Sequence, residues 1–277
     1  MFWSLEGTSF LPVFLVIWSS STFIIPYVTA VLEEHVDVIF PYISDTGRDP
    51  PESGVFGLMT AITAFTSMVT MFARYKYLQK LQEVVAEARP GLNLAALVCG
   101  LVSCLGMCIV GTFQESVLEK PHLVGAFLFF VCGVAYIVMQ SAISYRMQPH
   151  GSSLCVCRAR AAISVMSVLV AIPMIVCTGL LKMMDEWDMS RLHSIGLAGA
   201  SCEWIVAFGF IFFFFSYIDE FKVGRPLSRP VYGFISRPHF ALHLPLSVRH
   251  HVLAWLCCPP FCSLCCSQSE APCHNIL

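Results

Sequence analysis

The chain has 277 residues, of which 57% are hydrophobic and only 12% charged. A soluble globular domain carries roughly 25% charged residues, so this chain lacks the charge to wet a soluble surface. Its 22 Phe and 12 Met exclude disorder, and 16 Lys and Arg against 18 Asp and Glu leave no basic excess for nucleic acid. The mean hydropathy is +0.73, and the apolar residues gather in blocks of about twenty, the length that crosses a ~30 Å hydrocarbon core as helix. The sequence therefore reads as an all-α, multi-pass membrane protein.

Six transmembrane helices in one bundle are expected, at residues 9–31, 54–73, 91–112, 123–142, 161–181 and 194–217, within a membrane domain of residues 1–222. No alternating strand pattern occurs, which leaves helices that satisfy their own backbone. The first span is too long, and too weakly basic at its front, for a cleaved signal peptide, and is expected to act as an uncleaved anchor. Pro12, Pro26 and, in span five, Pro173 should bend or end helices locally.

The loop after span one is acidic, with Glu33, Glu34, Asp37, Asp45, Asp49 and Glu52 against Arg48. It reads as a solvated face, with a cation or a basic partner as the alternative. Within it, Asp45-Thr46-Gly47 resembles the aspartic-protease triplet, but such sites pair two carboxylates and this chain has one copy, with no strand leading into it. A rigid turn is the better reading. Asp45 or Ser44 can bond its own backbone, Gly47 permits positive φ, and Pro50-Pro51 fixes extended geometry. Glu52 favours a helix N-terminus electrostatically. Asp45 and Glu52 are thus candidate functional residues of a structured contact surface.

Span three carries a row of small residues, Ala96, Gly100, Cys104, Cys108 and Thr112, that lets helix backbones approach within the bundle or between two copies of the chain. His122 and His193 fall at the outer ends of spans four and six. Glu203 is the one formal charge well inside a span, at a cost on the order of 3 kcal/mol if it sat unpaired at the bilayer centre. It should face the bundle and be protonated, or bonded to a neighbour, with depth-matched hydroxyls available at Ser19, Thr22, Thr63, Thr66, Ser103, Tyr136 and Ser167. Two roles stay open for it: interhelical glue, or a proton or ligand site.

Residues 223–277 form a Pro-, Cys- and His-rich tail, expected to be disordered, in which Pro245, Pro259 and Pro260 with Arg249, His250 and His251 prevent a seventh span. Its cysteines, among them Cys257, Cys258, Cys265 and Cys266, are candidate palmitoylation sites. The spacing of Cys262 and Cys265 is too irregular relative to His250 and His251 to motivate zinc. No cysteine is expected in an outer loop, so a disulfide framework is not expected. Tyr232 and Ile235 fit a tyrosine-based sorting pattern. Of the 16 Lys and Arg, 12 lie after spans two, four and six, which places both termini in the cytosol. No phosphate loop, catalytic triad or metalloprotease pattern appears, so no enzyme activity, cofactor or metal is expected.

Several strings together resemble the DRAM (damage-regulated autophagy modulator) family. They are Tyr42-Ile43-Ser44-Asp45-Thr46-Gly47 with Pro50-Pro51-Glu52-Ser53-Gly54-Val55-Phe56-Gly57, then Arg74-Tyr75-Lys76, Ser144-Tyr145, Ile172-Pro173-Met174-Ile175-Val176-Cys177, and Cys202-Glu203-Trp204 with Phe208-Gly209-Phe210-Ile211-Phe212. The resemblance covers roughly residues 1–222; the tail departs from it. It implies a six-span membrane protein of the lysosome, with endosomal or plasma membrane as the alternative. Such a protein promotes autophagy in stress and links it to apoptosis, without established catalytic residues. Membrane lipids and proteins of the autophagy and lysosome system are the implied partners, with self-association left open. A transporter or a lipid- or phosphoinositide-handling protein with Glu203 at its midplane is the alternative function.

Overall fold

The computed structural model describes residues 9–83, 90–148, 151–183 and 189–222. Six long helices carry the chain: α1 (Phe10–Leu32), α2 (Glu52–Gln82), α3 (Pro90–Thr112), α4 (Glu119–Arg146), α5 (Leu154–Met183) and α6 (Met189–Phe215). A 3-10 turn at Asp45–Gly47 lies in the first loop, and a short α7 (Ile218–Lys222) follows α6. No strand occurs among the described residues. All six long helices are apolar enough to span a bilayer. The candidate sorting residues Tyr232 and Ile235, and Cys257, Cys258, Cys265 and Cys266, lie outside the described residues.

The helices form a ring in chain order. Each packs on its sequence neighbours, and α6 closes the ring against α1. The polarity of this ring is that of a membrane bundle. Ile17, Leu58, Phe65, Leu105, Leu169 and Phe212 face outward, while Thr22, Thr63, Ser103, Ser141, Ser164 and Gln140 are buried. In lipid an outward Leu costs nothing, and polar side chains find partners only inside. Accordingly Thr22 bonds Thr63 at 2.9 Å, Ser103 donates to Phe129 O at 2.8 Å, and Ser141 bonds Ser164 at 2.7 Å, each across a helix pair.

Several helices overrun the apolar blocks. At 31 residues α2 is about 46 Å long, well beyond a ~30 Å core. Its polar last turns stay helical because Leu78 and Leu81 bury one face, while Gln79 bonds Tyr75 and Lys76 along the other. Pro26 and Pro173 sit inside α1 and α5 without ending them.

In the small-residue row of α3, Ala96, Gly100 and Cys104 are buried. The closest backbone approaches, however, fall on other glycines. A Cβ at Gly106 would lie 2.5 Å from Gly125 O of α4, and one at Gly57 of α2 would lie 2.6 Å from Gly111 O. Among the described cysteines Cys99, Cys104, Cys108, Cys132, Cys157, Cys177 and Cys202 are free thiols.

Candidate functional site

The first loop is exposed over residues 37–40 but turns inward after them. Ile43 and Thr46 are buried, and the segment dips between the ends of α1, α2 and α6. Two side chains of α6 fasten it: Ile43 N donates to Glu203 Oε2 at 3.0 Å, and Trp204 Nε1 donates to Pro41 O at 2.8 Å. Glu203 therefore bonds a backbone amide rather than the hydroxyls its depth suggested. Those hydroxyls have other partners, Thr22 and Thr63 bonding each other, Ser103 a carbonyl and Tyr136 the phenol of Tyr217.

The turn is also closed differently from its sequence reading. Thr46 Oγ1 donates to Ile43 O at 2.7 Å, and Ser44 Oγ donates to Glu115 Oε2 at 3.4 Å. Gly47 has no positive φ. It is needed for space, since a Cβ there would overlap the Phe56 ring. Gly199 serves Tyr42 in the same way, leaving room on α6 for the phenol.

Glu52, the first residue of α2, is fully buried and bonded to His35 Nδ1 at 2.6 Å, while its Oε2 has no partner. That bond, first of all, raises the His35 pKa. Donor atoms of His35, Asp49 and Glu52 lie within 4.8 Å of one another, a spacing that a metal ion could bridge with small adjustments.

Beside Glu203 the outer halves of α4, α5 and α6 enclose a cavity of 560 Å³. Phe127, Phe130, Met174 and Ile175 form its apolar wall, and Tyr42, Asp45, Glu115, His122, Lys182 and Glu203 gather at its polar end. Phe127 is 56% exposed and Ile175 40%, so the cavity reaches the lipid-facing side of the ring. Burial pushes the Tyr42 phenol up to about 12, and burial, reinforced by Glu115, raises the Asp45 carboxyl. Lys182 is held by Glu115 at 2.9 Å and by Glu119 at 2.6 Å. His122 is buried, with Nδ1 bonded to Phe113 O at 2.7 Å.

A second polar centre lies at the opposite end of the bundle. Arg74 of α2, Arg160 of α5 and Glu220 of α7 are all buried together. Arg160 Nη1 donates to Glu220 Oε1 at 2.7 Å and to Ser144 Oγ at 2.8 Å, and Nε donates to Ser216 Oγ at 2.8 Å. Arg74 abuts Glu220 Oε2, though not in hydrogen-bond geometry, and its Nε has no partner. Both guanidiniums lie over the Tyr217 ring, at 4.8 Å and 4.7 Å from its centroid.

Comparison with known proteins identifies this architecture. The family model of the Frag1/DRAM/Sfk1/Cwh43P N-terminal domain matches residues 7–223. The chain belongs to this family. Within it, the DNA damage-regulated autophagy modulator protein 1 of Homo sapiens is 48% identical over 220 residues, covering 79% of this chain and 92% of the relative. Modulator protein 2 of Mus musculus is 37% identical over 235 residues, 80% of this chain and 86% of the relative. The modulator of macroautophagy TMEM150B-A of Xenopus laevis is 34% identical over 199 residues, 71% and 79% respectively. No solved structure gives a significant match.

The DRAM-like strings thus fall on the structural joints of the fold. Tyr42 to Gly47 and Glu203-Trp204 are the two halves of the loop fastening, and Arg74 and Ser144 belong to the opposite polar centre. Arg160 and Glu220 are site residues that the sequence reading does not single out. The available signal was Arg160 abutting the apolar run from Ala161 with no polar residue between them.

Proposed function

We propose that this chain is a lysosomal membrane protein that modulates autophagy and couples it to apoptosis after DNA damage. It acts through protein partners or membrane trafficking rather than by catalysis. The carrying observation is identity to vertebrate autophagy modulators over 92% of their length, 48% for the human and 47% for the mouse protein. The charge distribution supports an orientation with both termini in the cytosol and the Glu203 end in the lumen. The tie from Glu203 to Ile43 supports the glue role for the buried acid.

The test is autophagic flux after DNA damage in cells lacking the protein, with and without its re-expression. Reduced flux and reduced cell death, both restored by the full chain on lysosomes, are expected. Unchanged flux and survival in the deficient cells would overturn the reading.

The cavity beside Glu203 favours a second reading, lipid handling. Its 560 Å³ lies within the roughly 300–1,000 Å³ of small-molecule sites, and its mouth faces the acyl chains.

A further inference from the structure

We propose that the cavity between α4, α5 and α6 binds a single-chain lipid with a cationic amine head group, held at Asp45 and Glu203. The inference rests on the lipid-handling reading and names its ligand class.

The cavity has two unlike ends. Phe127, Phe130, Met174 and Ile175 offer an apolar track with no polar side chain to satisfy, and it reaches the lipid-facing surface. A hydrocarbon chain entering from the bilayer loses no favourable contact there. The polar end rejects a purely apolar occupant, because it holds three acids, one lysine and one histidine.

The charge balance at that end decides the head group. Lys182 is the only lysine or arginine among the described residues of the lining, and Glu115 and Glu119 already flank it at 2.9 Å and 2.6 Å. His122 gives Nδ1 to Phe113 O and faces Glu115 with Nε2 at 4.0 Å. The basic groups are therefore matched before any ligand arrives. The acids are not. No described residue donates a hydrogen bond to the Asp45 carboxylate, whose nearest positive influences, Arg48 and Lys182, act only through space. Glu203 has Oε2 occupied by Ile43 N, and no described residue donates to Oε1. The Tyr42 hydroxyl lies at the same polar end, beside Thr178.

Two acceptors thus wait for a donor, and an ammonium supplies three N–H groups with one positive charge. A carboxylate or phosphate head group would instead meet the Asp45 carboxylate with like charge.

The test uses the full chain in phosphatidylcholine nanodiscs and octadecylamine bearing a mid-chain diazirine. Saturable crosslinking that maps to α4 and α5, above the level in empty nanodiscs, is expected. Asp45→Asn combined with Glu203→Gln should weaken half-saturation at least tenfold. Phe130→Trp, which fills the apolar track, should abolish labelling in protein that still elutes as one species. Excess octadecylamine should compete, and stearate should not.

If stearate competes equally, or if the acid variants label like wild type, the cationic specificity is wrong while lipid handling survives. If neither chain labels the cavity, both the inference and the lipid-handling reading fall. Labelling that persists in Phe130→Trp would place the lipid elsewhere and overturn the site.

Discussion

Removing the Glu220 charge should unbalance the most deeply buried ionic centre among the described residues. Glu220→Gln keeps the side-chain volume but leaves two guanidiniums, Arg74 at 1% and Arg160 at 0% side-chain exposure, with no counter-charge. Breaking a buried ion pair from one side costs about 3–5 kcal/mol, because the remaining charge stays desolvated. Native proteins hold only about 5–15 kcal/mol in total. Arg160 keeps its bonds to Ser144, Ser152 and Ser216, which limits the loss to the charge itself.

Arg74→Met makes the discriminating comparison. It leaves one arginine opposite one glutamate and removes the unpartnered Nε. Its cost should be about 1–2 kcal/mol, that of the contacts with the Tyr217 and Tyr77 rings at 4.8 Å and 5.4 Å. Thermal unfolding of both variants in the same detergent measures the order. If Arg74→Met is the more damaging of the two, charge balance does not govern this centre, and the argument is refuted.

Three further perturbations address other joints. Glu203→Gln retains an acceptor for Ile43 N, whereas Glu203→Leu orphans it at about 1–3 kcal/mol; proteolysis of the first loop should rise only in the leucine variant, and equal rates in both would contradict the fastening. The His35 tie should depend on pH. Because its bond to Glu52 raises the folded pKa above 6.5, the stabilisation is full below pH 6.5 and fades as pH rises through the raised value. Acidifying from pH 8 to 6 should therefore stabilise wild type more than His35→Gln, and parallel pH profiles would count against the tie. Gly106→Ala should cost about 1–3 kcal/mol by forcing a methyl onto the α4 backbone, while Gly54→Ala, which meets nothing within 4 Å, should not destabilise; comparable thermal stabilities would remove the close-approach argument.

The helices were legible in the sequence because a bilayer imposes a length and an apolar run, and both are local properties. The joints were not. A glutamate at residue 203 advertises that it needs a partner, but the hydroxyls at matching depth are engaged elsewhere, and the donor is a loop amide that enters the bundle from its end. Depth counted along helices cannot locate a loop that folds inward. Arg74, Arg160 and Glu220 sit at the flanks of spans, where the sequence alone marks no site, for a related reason. Residues there are solvated or buried according to the neighbouring helix ends, and α7 folding back to present Glu220 is a tertiary event. Gly47 shows the limit in one residue: the sequence marked it as special, but the reason is the Phe56 ring rather than its own backbone.

The bond between Ile43 and Glu203 joins residues 160 apart in the chain. At a synthesis rate of roughly 5–20 residues per second, its acceptor is made about 8–30 s after its donor. Until α6 enters the membrane, the first two helices carry a loop whose seat does not exist. The protein thus passes through its biogenesis with an open ring, and the last long helix both closes the wall and seals the first loop into it. A nascent chain stopped before residue 203 would present that segment to quality control, and its protection from an added protease would report that the ring has closed.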